Sequence, residues 1–273
     1  MLGFLERLSM SLKDAVKNLI RTGILTPKRL LGQHFMVDER VLSRMVGYAE
    51  LSSDDVVLEI GAGLGFLTKL LAERAKLVYA VELDRRLAEY LRSRFPEGSN
   101  VRVLEGDFLK LRVEDFDKVV SNPPYAISTP MMLKLIELSP KVMVLTLQDE
   151  FSRKLCAEPG SPSYGRLTVL TALNYHVEIL EHLSPSVFYP ESRVRSVIVR
   201  LTRRPDALEP RRFKALRSVV DQAFSLRNKT LRNLVKRILP GFSLQCDLGL
   251  RVYRTPPEVF LEIADAVLLR GEV

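Results

Sequence analysis

Strand-sized β-branched runs alternate with helix-length stretches between residues 56 and 202, and three stretches of helical period follow a proline-bounded charged segment at 203–210. The first pattern predicts parallel βαβ units with right-handed crossovers, hence an α/β domain on a seven-stranded, Rossmann-like sheet. The second predicts a small helical domain closing the chain.

In order, Leu5, Leu8, Leu12, Val16 and Leu19 mark one apolar face of an N-terminal amphipathic arm or helix over residues 1–30. The sheet domain, expected over 31–203, begins its strands at "VVLEI" from Val56. Helix "FLTKLLAERA", strand "LVYAVEL", helix "RRLAEYLRSRF" and strand "VRVLEGD" follow, and "KVVSN", "KVMVLTLQ", "HVEILEHL" and "VRSVIVRLT" complete the set of seven. "RRPDALEP" places two prolines among charges and marks a boundary. The helical domain, expected over 204–273, comprises "RRFKALRSVVDQAF", "LRNLVKRIL" and "PPEVFLEIADAVLLR".

A chain of 273 residues with 47% hydrophobic content can bury a sizeable core without staples. The two cysteines, Cys156 and Cys246, lie far apart and match no metal-ligand spacing, which predicts a reducing compartment and no metal. Glu6, Arg7, Lys13, Asp14 and Lys17 interrupt the N-terminal apolar stretch. Neither a signal h-region nor a membrane span is therefore expected, and the chain reads as cytoplasmic. No segment demands a partner chain, so a monomer is expected.

The net charge of +8 resides entirely in residues 183–273, and residues 211–240 hold nine Lys or Arg against one Asp. Arg211, Arg212, Lys214, Arg227, Lys229, Arg232, Lys236 and Arg237 belong to that cluster. Such density is the electrostatic footprint of phosphate recognition, with a solvated helix face as the alternative.

"LEIGAGLGFLT" puts Gly61, Gly63 and Gly65 between the first strand of the sheet and a helix, where glycines permit a tight turn and close approach of a ligand. Glu82 ends the second strand 21 residues after Gly61, the spacing at which an acidic side chain reaches a nucleoside ribose. The GxGxG spacing and Glu59 just before it disfavour a bound pyrophosphate and favour a cationic or zwitterionic ligand. S-adenosylmethionine, with an amino group and a sulfonium, satisfies that requirement. Asp107 in "EGDF" would sit at its adenine edge, or alternatively cap the next helix.

Asn122 closes the fourth strand beside the expected topological switch point. Pro123 and Pro124 remove two backbone donors and fix φ, which leaves a stiff loop with free carbonyls. The Asn122 side-chain oxygen and the Pro123 carbonyl then form a static acceptor pair for an exocyclic amine, whose lone pair is otherwise delocalised. Holding both N–H groups favours a pyramidal nitrogen that can attack a methyl donor, so catalysis is positioning plus electrostatics. Tyr125 supplies a flat face on which an extruded base can stack. An ordinary proline-rich turn with Tyr125 in the core is the plainer alternative.

These segments resemble the rRNA adenine N6,N6-dimethyltransferases, the KsgA type with its archaeal and eukaryotic relatives, from about Pro27 onward. "LGQHFMVDERVL" is similar to the family's opening motif. "EIGAGLGFLT", "VELD" and "GDF" are similar to its cofactor motifs, and "SNPPYAIS" to its catalytic loop. "LTLQDEFSRKL", "YGRLTVL" and "AFSLRNKTLRNLV" are similar to further blocks. The resemblance implies a class I S-adenosylmethionine methyltransferase domain. It also implies a cofactor site lined by His34, Met36, Gly61, Gly63, Glu82, Asp107, Phe108 and Asn122. Asn122, Pro123 and Tyr125 would present the target adenine, with Phe188 of "VFYP" stacking on its other face. The implied reaction is dimethylation of two adjacent adenosines in a hairpin loop near the 3′ end of small-subunit rRNA, coupled to subunit assembly. "PESRVRS" departs from the family's pattern by carrying Arg193 and Arg195, which suit RNA.

Two other functions remain open. NPPY occurs also in DNA adenine and protein glutamine methyltransferases, so a glutamine N5-methyltransferase of a release factor is one; the basic cluster speaks against it. A catalytically silent RNA-binding assembly or transcription factor is the other, disfavoured by the intact Gly61, Glu82, Asp107 and Asn122.

Overall fold

The computed structural model describes residues 11–23, 34–113, 115–241 and 247–271. Leu5 and Leu8 of the expected N-terminal face, and Cys246, lie outside these residues. Helix α1 spans Leu12–Arg21 and starts at Ser11, whose hydroxyl accepts from the Asp14 amide. Its buried residues Val16 and Leu19 pack with Phe35, Leu64 and Leu87, so the apolar face anticipated for the arm is satisfied over this part.

In chain order there follow β1 (Phe35–Met36), α2 (Glu39–Tyr48), β2 (Val56–Ile60), α3 (Phe66–Ala72), β3 (Leu77–Glu82), α4 (Arg85–Arg94), β4 (Val101–Glu105) and β5 (Lys118–Ser121). Then come α5 (Ser128–Leu138), β6 (Val142–Gln148), α6 (Asp149–Leu155), α7 (Arg166–Ala172), β7 (Tyr175–Leu183), β8 (Phe188–Tyr189) and β9 (Ser196–Arg203). Helices α8 (Pro210–Ser225), α9 (Leu231–Ile238) and α10 (Pro257–Leu269) close the series. Local chemistry explains the starts: Asp38 and Asp84 cap α2 and α4 by accepting backbone N–H groups, and prolines open α8 and α10.

The seven strands anticipated form one sheet in the order β4-β3-β2-β5-β6-β9-β7, and β1 and β8 form an antiparallel pair of their own. β2 runs parallel to β3 on one side and to β5 on the other, with Leu58 opposite Tyr79 and Val119. After β4 the chain therefore returns across β2 to lay down β5, and this reversal is the switch point at which open α/β sheets bind ligands. The β2–β5 ladder covers only Val57–Lys118 and Leu58–Val119. Beyond it the buried Ser121 hydroxyl donates to the Ile60 carbonyl at 2.6 Å and accepts the Ile60 amide at 3.3 Å. A side chain thus replaces ladder bonds where the two strands begin to part, which avoids orphaned backbone groups at the mouth of the site.

Two compact units interleave along the chain. The first takes the described residues up to Met131, then Pro140–Asp149 and Glu178–Leu201, and carries the sheet. The second gathers Met132–Ser139, Glu150–Val177 and everything described from Thr202 onward. Within the second unit Arg166 pairs with Asp221 at 3.0 Å, Arg217 with Glu137, and Tyr164 packs on Phe224 with ring centroids 5.9 Å apart. Segments lying between sheet strands in sequence therefore make their contacts with the late helices, so the helical unit is larger than the expected stretch from 204. Among the described residues no helix is long and apolar enough to cross a membrane.

Candidate active site

One cavity in the first unit is lined by the ends of β1, β2, β3, β5 and β8 and by the loop after β4. His34, Met36, Gly61, Gly63, Glu82, Asp107, Phe108 and Asn122, the residues expected around the cofactor, all line it, as do Pro123, Tyr125 and Phe188, expected around the target. The topology is the reason: β2 and β5 are neighbours, so the glycine loop and the NPPY loop leave the same edge side by side.

The glycine loop has little room for side chains. A Cβ on Gly61, which has φ +76°, would lie 3.1 Å from Pro124 Cδ, and one on Gly63 would lie 3.3 Å from Phe35 Cε1. The first contact packs the glycine loop against the NPPY loop. The loop is held from β3 as well, since the Gly61 and Ala62 amides both donate to the Val81 carbonyl, at 2.8 and 3.1 Å.

Glu82 is buried, and its Oε2 accepts from the Gly63 amide at 2.8 Å while Oε1 accepts from the Asp84 amide at 2.9 Å. Burial pushes its carboxyl up despite these bonds. Expected to face a ribose, it thus also braces the glycine loop, and each oxygen retains further acceptor capacity. Glu59, raised in the sequence only as a charge before the loop, is 2% exposed and accepts the Thr68 hydroxyl at 2.6 Å. Burial, and secondarily Glu82, pushes it up to about 8. Two carboxyls held out of water with inadequate compensation suit a cationic ligand, whose charge offsets the desolvation. This donor set, with the tight glycine cradle, fits S-adenosylmethionine. When bound, that cofactor supplies an electrophilic methyl group on a sulfonium.

Asp107 lines the cavity, and its Oδ1 accepts the Leu109 amide at 2.9 Å, so what it caps is a turn and not the helix offered as the alternative. The His34 ring Nδ1 lies 2.8 Å from the Pro190 carbonyl, so Nδ1 carries the proton in that bond. Met36 and Phe188 face one another in the β1–β8 pair, and Phe188 is only 1% exposed. The ring expected as an open stacking face is therefore mostly taken up in the core.

Asn122 Oδ1, expected to be half of an acceptor pair, accepts a hydrogen bond from the Thr146 hydroxyl, and Nδ2 donates to the His34 carbonyl at 3.4 Å. One lone pair remains on Oδ1. The Tyr125 hydroxyl donates to Ser196 Oγ at 2.6 Å, and burial raises its pKa, so the phenol stays protonated. Thr146 and Ser196 were not singled out from the sequence. The available signal was a hydroxyl inside the otherwise apolar run "VMVL-T-L", where every other residue is buried and apolar.

The basic residues divide. Arg193 and Arg195 are exposed in the first unit, and Arg211, Lys214, Lys229, Arg232, Lys236 and Arg237 are exposed in the second. Two of the expected RNA contacts are otherwise engaged. Arg212 forms a two-pronged pair with Asp265 at 2.7 and 2.6 Å. Arg227 donates to the carbonyls of Tyr164 and, at 3.1 Å, Pro162, with its guanidinium over the Tyr253 ring. This half-buried arginine thus spends donors on loop carbonyls. Among the described residues there is no group of three or more metal-ligating side chains.

A seven-stranded sheet of this order, with a glycine loop, an acidic residue ending the next strand and an acceptor loop at the switch point, defines a class I S-adenosylmethionine-dependent methyltransferase. The chain belongs to the ribosomal RNA adenine dimethylase family, whose sequence profile matches residues 25–252. It is 47% identical over 213 residues to a probable ribosomal RNA small subunit methyltransferase A of Methanopyrus kandleri, covering 76% of this chain and 75% of the relative. A protein of the same description from Methanothermobacter thermautotrophicus is 39% identical over 252 residues, covering 88% and 90%. Among solved structures, a dimethyladenosine transferase from Plasmodium falciparum superposes with a TM-score of 0.73 at 28% identity, covering 87% of this chain and 98% of that one. The 23S rRNA methyltransferase ErmE superposes with a TM-score of 0.64 at 30% identity, covering 85% and 99%. Membership makes the chain an rRNA adenine methyltransferase with S-adenosylmethionine as its cofactor.

Proposed function

We propose that this enzyme adds two methyl groups to N6 of each of two adjacent adenosines in the hairpin loop near the 3′ end of small-subunit rRNA, as a step coupled to small-subunit assembly. The observation that carries the reading is Asn122: its carboxamide lies at the carboxyl end of β5, lines the same cavity as the glycine loop, and is held by Thr146 and the His34 carbonyl. The remaining Oδ1 lone pair and the Pro123 carbonyl accept the two N–H groups of an exocyclic amine, and Tyr125, tethered through its hydroxyl, supports the base ring. The rate gain comes from holding the nitrogen lone pair towards the methyl donor. After the first transfer one N–H remains, and the acceptor pair can still hold it.

The small-subunit assignment is supported by the descriptions of the archaeal relatives, and the RNA assignment by the exposed Lys229, Arg232, Lys236 and Arg237 on and before α9. The NPPY loop alone would also suit a glutamine side-chain amide. Equimolar small-subunit RNA and release factor, offered together with methyl-labelled cofactor, separate the two. Label in RNA as dimethyladenosine is the expected result, and label in a glutamine of the protein overturns the assignment.

A further inference from the structure

Thr146 lies on β6, has no solvent-exposed surface, and is the only hydroxyl-bearing residue among the strand's seven. A buried hydroxyl in an otherwise apolar run is costly unless it is bonded, and its partner here is the Asn122 side-chain oxygen. Because a carboxamide oxygen can only accept, the Thr146 proton is committed to that bond.

An unheld asparagine has two amide orientations of nearly equal shape. Only one turns oxygen, not NH2, towards an incoming amine. The reversed amide would set Oδ1 against the His34 carbonyl, two acceptors facing each other, and would present a donor to a donor at the target. The His34 contact at 3.4 Å is too long to decide this strongly by itself.

We infer that Thr146 is a positioning residue for methyl transfer: its hydroxyl fixes the Asn122 carboxamide with oxygen towards the target amine. The inference rests on the reading of Asn122 as the acceptor of the adenine amine. Thr146 itself touches neither cofactor nor substrate, so its loss acts on turnover and not on cofactor binding.

Thr146→Val keeps the shape and removes the hydroxyl, and Thr146→Ser keeps the hydroxyl. The full chain in each form is assayed with small-subunit RNA for kcat and cofactor KM, with cofactor affinity measured by calorimetry beside wild type and Asn122→Ala. The expected result is a kcat lowered about tenfold to a hundredfold in Thr146→Val, as for loss of one buried hydrogen bond, with cofactor KM and affinity within about twofold. Thr146→Ser restores kcat to within about threefold of wild type. Wild-type kcat in Thr146→Val overturns the inference, as does a serine variant as slow as the valine one, or a parallel fall in cofactor affinity. If wild type methylates the RNA and Asn122→Ala does so equally well, the functional reading falls and takes the inference with it; a failing valine prediction beside an inactive Asn122→Ala sinks the inference alone.

Discussion

The Gly63 amide donates to Glu82 Oε2 at 2.8 Å, tying the glycine loop after β2 to the carboxyl end of β3. One carboxylate therefore both shapes the loop and faces the cavity. Glu82→Gln keeps the volume but replaces one acceptor oxygen with a donor, which opposes either the Gly63 or the Asp84 amide. Hydrogen bonds to charged groups contribute roughly 1.5–3 kcal/mol, so cofactor affinity should fall about tenfold to a hundredfold. Calorimetric titration with S-adenosylmethionine checks this; an unchanged affinity would mean that Glu82 does not hold the cofactor.

Glu59 gives the fold an unusual response to pH. Its folded pKa of about 8 lies above its ordinary 4.5, so between those values the folded chain holds a proton that the unfolded chain has released. Stability contributed at this site is thus full below about pH 4.5, declines as pH rises towards 8, and levels off above it. Glu59→Gln removes the titration. Denaturant melts of both proteins from pH 4.5 to 8.5 should show the variant gaining on wild type with rising pH, by roughly a few kcal/mol at most. A difference that is flat across that range would mean Glu59 titrates normally.

Arg227 and its neighbours should separate cleanly. Arg227→Ala leaves the carbonyls of Tyr164 and Pro162 without their donor, and a loss of about 1–3 kcal/mol in stability is expected with little change in the salt dependence of RNA binding. Replacing the exposed Lys229, Arg232, Lys236 and Arg237 by alanine should do the reverse, lowering the salt slope by about one for each phosphate that is no longer neutralised. Filter binding across a salt series decides it, and equal slopes in wild type and the fourfold variant would leave that face a solvated surface.

The sheet was legible because a parallel strand buried on both faces reads as a near-continuous apolar run rich in β-branched residues, as in "VVLEI" and "KVMVLTLQ". Gly61 and Glu82 were legible for the same kind of reason, since turn chemistry and spacing along one βαβ unit are local properties. β1 and β8 were not, because two-residue strands have no period to detect and exist only as partners of each other. Thr146, Ser196 and the carbonyl clamp of Arg227 likewise depend on contacts between distant segments. Charge density in the sequence counted Arg212 and Arg227 with the rest of the basic cluster; only their partners, Asp265 and a loop of carbonyls, set them apart.

Asn122 is central to the proposed chemistry, since its side-chain oxygen is assigned to hold the adenine amine. The most direct measurement incubates wild type and Asn122→Ala with small-subunit RNA and methyl-labelled cofactor, maps dimethyladenosine by mass spectrometry of RNA fragments, and measures cofactor affinity for both. Wild type is expected to place label at two adjacent adenosines of the 3′ hairpin loop. Asn122→Ala is expected to place none, while its cofactor affinity stays within about tenfold, or roughly 1.4 kcal/mol. Wild-type-like labelling by Asn122→Ala would contradict the assignment of that oxygen to the target amine.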